Sequence, residues 1–438
     1  MLNYRKIAWT LVNNSLEIII GLGTIVLVTR VYTPDEVGAW SVFTALFFFI
    51  TKVREGIVQT ALVKYSAGLD GPQYWQTLKS SFIINLALEA SLSSIVALVG
   101  LINIFPKLSQ LLILYPTYAL GWSIYRWSLF VFQSRLQVEQ IFRMNLLMVA
   151  ILSLGFGLLV MLGSPLWMMV VILASASIVA AFYGLIALDI TELISANFDK
   201  GIIKELITFG KYGLLREVSG TLSSRINVFL SAGLLSLSDA GLLGIAQRFT
   251  QLILIPNAAI QTLIFPKACE LTNQKKSSDL KELYESSVAM LLAMFLPMVI
   301  FIGIFAEKLI LIFNGSYYQH AAPLLVVMVF TVALFSPFGN AFGSVINALG
   351  KPGINLKVVS TNAVINITLS GVLIGTIGLY GAVLAPLITE IFGFIWISIL
   401  LKQELNISFQ RCFKLIPKSY QNLFDAMKQK LRSEGVGV

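Results

Sequence analysis

Long apolar runs recur along the chain, and polar residues gather in the breaks between them. Windows of about 20 residues, the length a helix needs to cross hydrocarbon, can be laid at 8–30, 38–62, 80–102, 111–132, 144–163, 166–188, 208–232, 240–265, 286–306, 322–346, 356–377 and 380–400. This pattern predicts an all-α integral membrane protein with twelve transmembrane helices. Neither a β-barrel nor a soluble enzyme fits the periodicity. The main polar break, Asp189 to Glu205, reads as a hinge between two halves of six helices, and Leu271 to Tyr284 reads as a cytoplasmic loop. The expected divisions are an N-terminal six-helix bundle at 1–188, a cytoplasmic linker at 189–206, a C-terminal six-helix bundle at 207–402 and a basic amphipathic tail at 403–438. In that tail Ile416, Tyr420, Leu423, Phe424, Met427 and Leu431 fall near one helical face, flanked by Lys418, Lys428, Lys430 and Arg432. Such a helix is expected to lie at the cytoplasmic interface against anionic membrane lipids.

Matched chemistry at one long offset points to an internal duplication. Thr33-Pro34-Asp35-Glu36-Val37-Gly38 lies 203 residues before Ser236-Leu237-Ser238-Asp239-Ala240-Gly241, and Gln59-Thr60 lies 202 before Gln261-Thr262. Thr33 with Glu36, and Ser236 with Asp239, have the spacing of a capping box at a helix start. Each box opens the second helix of its half. Halves with an even number of helices have the same orientation in the membrane. The expected architecture is two pseudo-symmetric bundles around a central cleft, suited to alternating access.

Composition agrees with the pattern: 57% of the residues are hydrophobic and mean hydropathy is +0.83. An even number of crossings puts both ends on one side, and the Lys/Arg bias chooses the side. With cytoplasmic termini, the inner connections carry Lys64, Lys79, Arg135, Arg143, Lys200, Lys204, Lys267, Lys275, Lys276, Lys281, Lys351 and Lys357, whereas the outer ones carry little beyond Arg30, Lys107 and Lys308. The expected location is the inner, cytoplasmic membrane. Arg5 and Lys6 precede a full-length span without a small-residue cleavage pattern, so the start is not read as a cleaved signal. The net charge of +9 is accounted for by loops facing anionic headgroups, which removes the case for nucleic acid. Cys269 and Cys412 both fall on the cytoplasmic side and imply no disulfide framework. There is no GxxxxGK followed by Ser or Thr, and His320 reads as interfacial rather than as a metal ligand. No enzyme, cofactor or metal is expected.

Ionisable residues inside spans are costly, so they mark candidate function. The first half supplies Glu17, Lys52, Arg54, Glu55, Glu89 and Arg126, and the second Arg216, Glu217, Arg225 and Arg248. The basic bias predicts a cavity for an anion, above all phosphate or pyrophosphate, because guanidinium offers a matching fork. Arg225, Arg248, Arg126, Arg216, Lys52 and Arg54 are the candidate substrate-binding residues. Each has a competing structural reading. Lys52, Arg54 and Glu55 are close enough to neutralise one another, Arg126 sits among aromatic neighbours, and Arg216 adjoins Glu217. Glu17, Glu55, Glu89 and Glu217 are either coupling sites for H⁺ or Na⁺ or fixed counter-charges to the arginines.

Over residues 1–402 the chain resembles the polysaccharide and O-antigen flippase family of the multidrug/oligosaccharidyl-lipid/polysaccharide exporter superfamily. The resemblance rests on Leu27-Val28-Thr29-Arg30-Val31-Tyr32-Thr33-Pro34-Asp35-Glu36-Val37-Gly38, on Phe313-Asn314-Gly315-Ser316-Tyr317-Tyr318-Gln319-His320-Ala321-Ala322-Pro323-Leu324-Leu325, and on Asn347-Ala348-Leu349-Gly350-Lys351-Pro352. It implies a V-shaped pair of six-helix bundles that moves an oligosaccharide linked to undecaprenyl pyrophosphate to the outer leaflet, with a proton- or cation-coupled antiport mode. Implied partners are the lipid-linked oligosaccharide and polysaccharide-assembly proteins. Twelve spans rather than fourteen argue against the lipid II flippase branch, and a drug exporter of the same fold need not have so basic a cavity.

Overall fold

A computed structural model describes residues 21–66, 69–103, 106–135, 137–197 and 199–421, and within these the side chains of 60, 63, 64, 138, 212, 216, 255, 258–263, 266 and 273 are left aside. Glu17, the side chain of Arg216 and the tail beyond 421 therefore lie outside the described residues. The helices are α1 (Gly21–Val31), α2 (Pro34–Ser66), α3 (Gly71–Leu101), α4 (Pro106–Ser134), α5 (Val138–Leu162), α6 (Trp167–Ala187), α7 (Ile190–Ser195), α8 (Lys200–Leu234), α9 (Leu237–Asn273), α10 (Ser277–Asn314), α11 (Ala321–Ala348), α12 (Pro352–Ile377), α13 (Gly381–Leu405) and α14 (Phe409–Lys414). Short 3₁₀ turns at Ser316–His320 and Gly378–Tyr380 join α10 to α11 and α12 to α13.

The chain is an all-α, multi-pass membrane protein. Among the described residues seven segments are long and apolar enough to cross a bilayer: Pro34–Gln59, Gly71–Leu101, Glu139–Leu162, Trp167–Ala187, Ser277–Asn314, Ser316–Ala348 and Pro352–Leu405. The last of these contains both α12 and α13. Helices α4, α8 and α9 are outside this set. Charge dilutes α8, which holds Lys200, Lys204, Glu205, Lys211, Arg216, Glu217 and Arg225. Helix α9 carries Asp239, Arg248, Lys267 and Glu270.

The helices overrun the hydrocarbon, which corrects one expectation. The stretch Leu271 to Tyr284 is not a loop, because α9 continues to Asn273 and α10 starts at Ser277. Polar ends extend into water at no desolvation cost, and the connection shrinks to Gln274, Lys275 and Lys276. Likewise α8 begins at Lys200, inside the stretch assigned to the linker, capped by Asp199 accepting from the Gly201 amide at 2.6 Å. The rest of that linker is tied down: Lys79 Nζ donates to the Ile194 and Ala196 carbonyls at 2.6 and 2.7 Å.

Both capping boxes form, by complementary halves. The Thr33 amide donates to Glu36 Oε2 at 2.9 Å; the Asp239 amide donates to Ser236 Oγ at 3.1 Å, and the Ser236 hydroxyl donates to Asp239 Oδ2 at 2.6 Å.

By packing, the chain divides into two compact units, Met1–Gly244 and Ile245–Val438, a division that falls within α9. In the first unit α2 is the central helix, with α4 on one side and α8 along another. The backbones of α2, α8 and the start of α9 approach closely: a Cβ on Gly38 would lie 1.7 Å from the Leu237 carbonyl oxygen, and one on Gly210 2.4 Å from that of Ile57. Aromatic rings fill the α2–α4 seam, where Phe47 stacks on Tyr118 at 4.3 Å and meets Trp122 edge-on at 5.5 Å.

The second unit has a core around Tyr284, Phe338, Phe342, Val345 and Leu401. The segment after α13 folds back onto this core and buries Cys412. Buried Glu285 on α10 holds it, accepting from the Ser408 amide at 3.0 Å and pairing with Arg411 Nε at 3.3 Å. The helix of α14 is interrupted at Leu415 and resumes over 416–421.

Candidate functional site

Successive residues on a helix point about 100° apart, whereas residues three apart share a face. That rule sorts the charged run on α2. Lys52 and Glu55 share a face, and Lys52 Nζ lies 2.7 Å from Glu55 Oε2. The same carboxylate receives Arg126 from α4, whose Nε lies 2.6 Å from Glu55 Oε1. Arg54 points elsewhere, toward α3, where its Nη1 meets Glu89 Oε2 at 2.8 Å. Ser93, one turn after Glu89, donates its hydroxyl to Glu89 Oε1 at 2.8 Å.

The five charged groups form one layered network. Arg54 and Glu55 are 1% and 2% exposed, whereas the side chains of Arg126 and Lys52 are 16% and 39% exposed. The carboxylates lie inside and two of the three cations reach outward. Three cations against two carboxylates leave one formal positive charge. A buried ion without a partner costs several kcal/mol, so each carboxylate is the condition for a neighbouring cation to be there. Compensation is incomplete at Arg54, whose Nε and Nη2 are buried without a hydrogen-bond partner.

Neighbouring polar groups lock α3, α4 and α5 together. Trp127 Nε1 donates to Ser81 Oγ at 3.0 Å, Asn85 Nδ2 donates to the Ser123 carbonyl at 3.3 Å, and the Tyr125 hydroxyl donates to Asn145 Oδ1. These asparagines hold helices together. Sequence reasoning had no role for Ser93, although its position four residues after a lone intramembrane glutamate was the available signal.

The remaining candidates are dispersed. Arg225 on α8 belongs to the first unit and lies over the Phe48 ring at 5.2 Å, one turn before Lys52 on α2. Glu217 is half-buried two turns earlier on α8. Arg248 belongs to the second unit, where its Nη1 lies 3.4 Å from Gln251 Oε1. Among the described residues no group of three or more His, Cys, Asp or Glu side chains is placed to hold a metal ion.

This arrangement can hold an anion and exchange counter-charges. The family described as "Polysaccharide biosynthesis protein" matches residues 26–323. A protein of Haloferax volcanii named as the probable low-salt glycan biosynthesis flippase Agl15 is 22% identical over 207 residues, 47% of this chain and 44% of that one. The match thus spans less than half of that relative's length. Among solved structures, an inward-facing multidrug resistance MATE family transporter of the MOP superfamily superposes with a TM-score of 0.74 at 16% identity, over 88% of this chain and 94% of that one. The lipid II flippase MurJ in an inward closed conformation also gives 0.74, at 15% identity, over 97% and 93%. At these identities the likeness is one of fold.

Proposed function

We propose, from the premise that the chain belongs to the polysaccharide biosynthesis protein family, that it is an alternating-access flippase for undecaprenyl-pyrophosphate-linked oligosaccharide. The cargo moves from the inner to the outer leaflet of the cytoplasmic membrane. Twelve crossings with both termini inside form two six-helix bundles, 1–188 and 207–402, joined by the linker at 189–206 and followed by the basic tail at 403–438 on anionic lipid. The name of the Haloferax volcanii relative supports a glycan-linked cargo.

The observation that carries this reading is the net-basic ion network inside the first unit, with Lys52 and Arg126 at its exposed edge. A diphosphate and its sugars cannot cross hydrocarbon cheaply, because a charge in that medium costs several kcal/mol or more. The polyprenyl tail has no reason to leave the lipid. A protein path that supplies cations to the head group while leaving the tail outside meets both conditions, with no covalent step. Arg225, Arg248, Arg126, Arg216, Lys52 and Arg54 are the proposed cargo contacts. Glu17, Glu55, Glu89 and Glu217 are the proposed counter-charges or coupling sites for a proton or sodium gradient.

Translocation of a defined lipid-linked glycan in proteoliposomes tests the reading. R225A/R248A should lower transport at least tenfold at unchanged membrane insertion, and Lys at either position should restore it only in part, because an ammonium lacks the fork. Full transport by the double variant removes both arginines from the binding set. Efflux of amphiphilic cations without dependence on a polyprenyl pyrophosphate would instead identify a drug exporter.

A further inference from the structure

The chain turns back on itself where α13 ends, and α10 ties the corner down. Asn406 takes a left-handed conformation with φ at 51°, and its carbonyl accepts from Lys281 Nζ. The Ser408 amide then donates to Glu285 Oε1 at 3.0 Å, and one turn later Arg411 Nε meets Glu285 Oε2 at 3.3 Å. Two contacts one turn apart fix the roll of α14 about its own axis.

That roll decides what each side of the segment meets. Phe409, Cys412 and Ile416, three and four residues apart, pack on the core of the second unit. Ile416 belongs to the apolar face of the tail, so this part of that face is already covered by protein. The other side carries the exposed cations Arg411, Lys414 and Lys418, with the Phe413 and Tyr420 rings 46% and 39% exposed among them. Depth follows from α10. It has 38 residues and needs about 20 to cross hydrocarbon, and Glu285 directly precedes its apolar window at 286–306. A segment held by Glu285 lies at the edge of the hydrocarbon.

We propose that the basic side of residues 409–421 is a docking surface for anionic phospholipid headgroups in the leaflet at that end of α10. This rests on the reading that the basic tail meets anionic lipid, and deepens it by naming the surface and its orientation. Charge complementarity carries the choice of occupant. Residues 406–421 hold three cations and no Asp or Glu, and the acid just before them, Glu404, is taken by Lys351 at 2.6 Å. Basic side chains at headgroup depth attract anionic lipid, and rings with one apolar and one wet end suit the same plane. Arg411 serves both sides: its Nε faces Glu285 while its side chain is 53% exposed, so the guanidinium can bridge that carboxylate and a headgroup phosphate.

A bimane label at Q410C, in the full-length chain with Cys269 and Cys412 replaced by Ala, reports the lipids around the segment in proteoliposomes. Gln410 is exposed and makes none of the proposed contacts. Phosphatidylglycerol and phosphatidylcholine are mixed in fixed proportion, with a nitroxide quencher on the headgroup of one or of the other. Quenching through phosphatidylglycerol should exceed that through phosphatidylcholine about fivefold, the preference that one basic residue gives near the surface. K414Q/K418Q should cut that excess to less than half. Equal quenching by the two lipids, or an excess unchanged in K414Q/K418Q, overturns the surface. Quenching by neither lipid also overturns it, since the basic side then faces water or an acidic protein. A second label at S433C separates this inference from the reading beneath it: a preference for phosphatidylglycerol at S433C alone leaves the tail on anionic lipid and removes the docking surface, whereas no preference at either position removes both.

Discussion

Arg54 and Glu89 are 35 positions apart in sequence and 2.8 Å apart in space, and neither is tolerable in the bundle without the other. Removing one member of a buried pair leaves a bare charge and typically costs about 3–5 kcal/mol, whereas replacing both with apolar residues of similar size is often neutral. E89A should therefore lower the thermal midpoint of the purified protein sharply, and R54M/E89L should recover most of the loss; equal damage in the single and double variants would show that the pair is not the cause. Cysteine reactivity is also set by position. Burial, and next the nearby Glu285 carboxylate, push the Cys412 thiol up to about 12, so the thiolate is scarce at neutral pH. Maleimide at pH 7 should modify half-buried Cys269 well before Cys412, and labelling of Cys412 should rise with pH up to that value unless the segment after α13 undocks first. The sequence revealed which residues were charged inside spans, but not their partners. Glu55 with Arg126 and Arg54 with Glu89 are tertiary pairs, and no local spacing encodes the helix-to-helix register that joins them.

Helices, by contrast, were largely legible. Each apolar window from 38–62 onward contains one long helix, because hydrophobic length and polar breaks are properties of the chain itself. The ends were less legible, since the polar turns of α8, α9 and α10 stay helical in water while hydropathy marks only the buried stretch. The two capping boxes were visible as Thr33 with Glu36 and Ser236 with Asp239, and both form. Losing such a cap costs about 1 kcal/mol, so S236A should produce only a small fall in thermal midpoint. Gly38 is a different matter. Its missing side chain admits the Leu237 carbonyl, and a methyl group there would overlap backbone that has no rotamer to change. G38A should be far more damaging than S236A, whereas G233A, where nothing lies within 4 Å of the added carbon, should be neutral or mildly stabilising in a helix. A thermal midpoint in G38A equal to that of G233A would mean that the helices can separate there without loss.

At the level of the whole molecule, topology follows from length and charge together. Helix α10 has 38 residues, about 57 Å at 1.5 Å per residue, against a hydrocarbon core of roughly 30 Å. A helix that long and apolar emerges on both sides, so its two ends report opposite faces of the membrane. The first end follows Lys275 and Lys276 and includes Lys281, while the second leads into the turn Ser316–His320, whose one basic side chain is His320. Basic residues are retained on the cytoplasmic side, so the proposed topology has the start of α10 inside. Ser278 is exposed at that start, and Tyr317 is 58% exposed beyond the other end, so both suit single-cysteine reporters after Cys269 and Cys412 are replaced by Ala. In intact cells a membrane-impermeant maleimide should label Y317C directly, and S278C only once the membrane is permeabilised. Direct labelling of both would mean that α10 does not cross. Labelling of S278C alone would invert the orientation and put the ends of the chain outside. The expected pattern would fix α10 as an inward-to-outward crossing, as the ninth helix of a twelve-span chain with a cytoplasmic start must be.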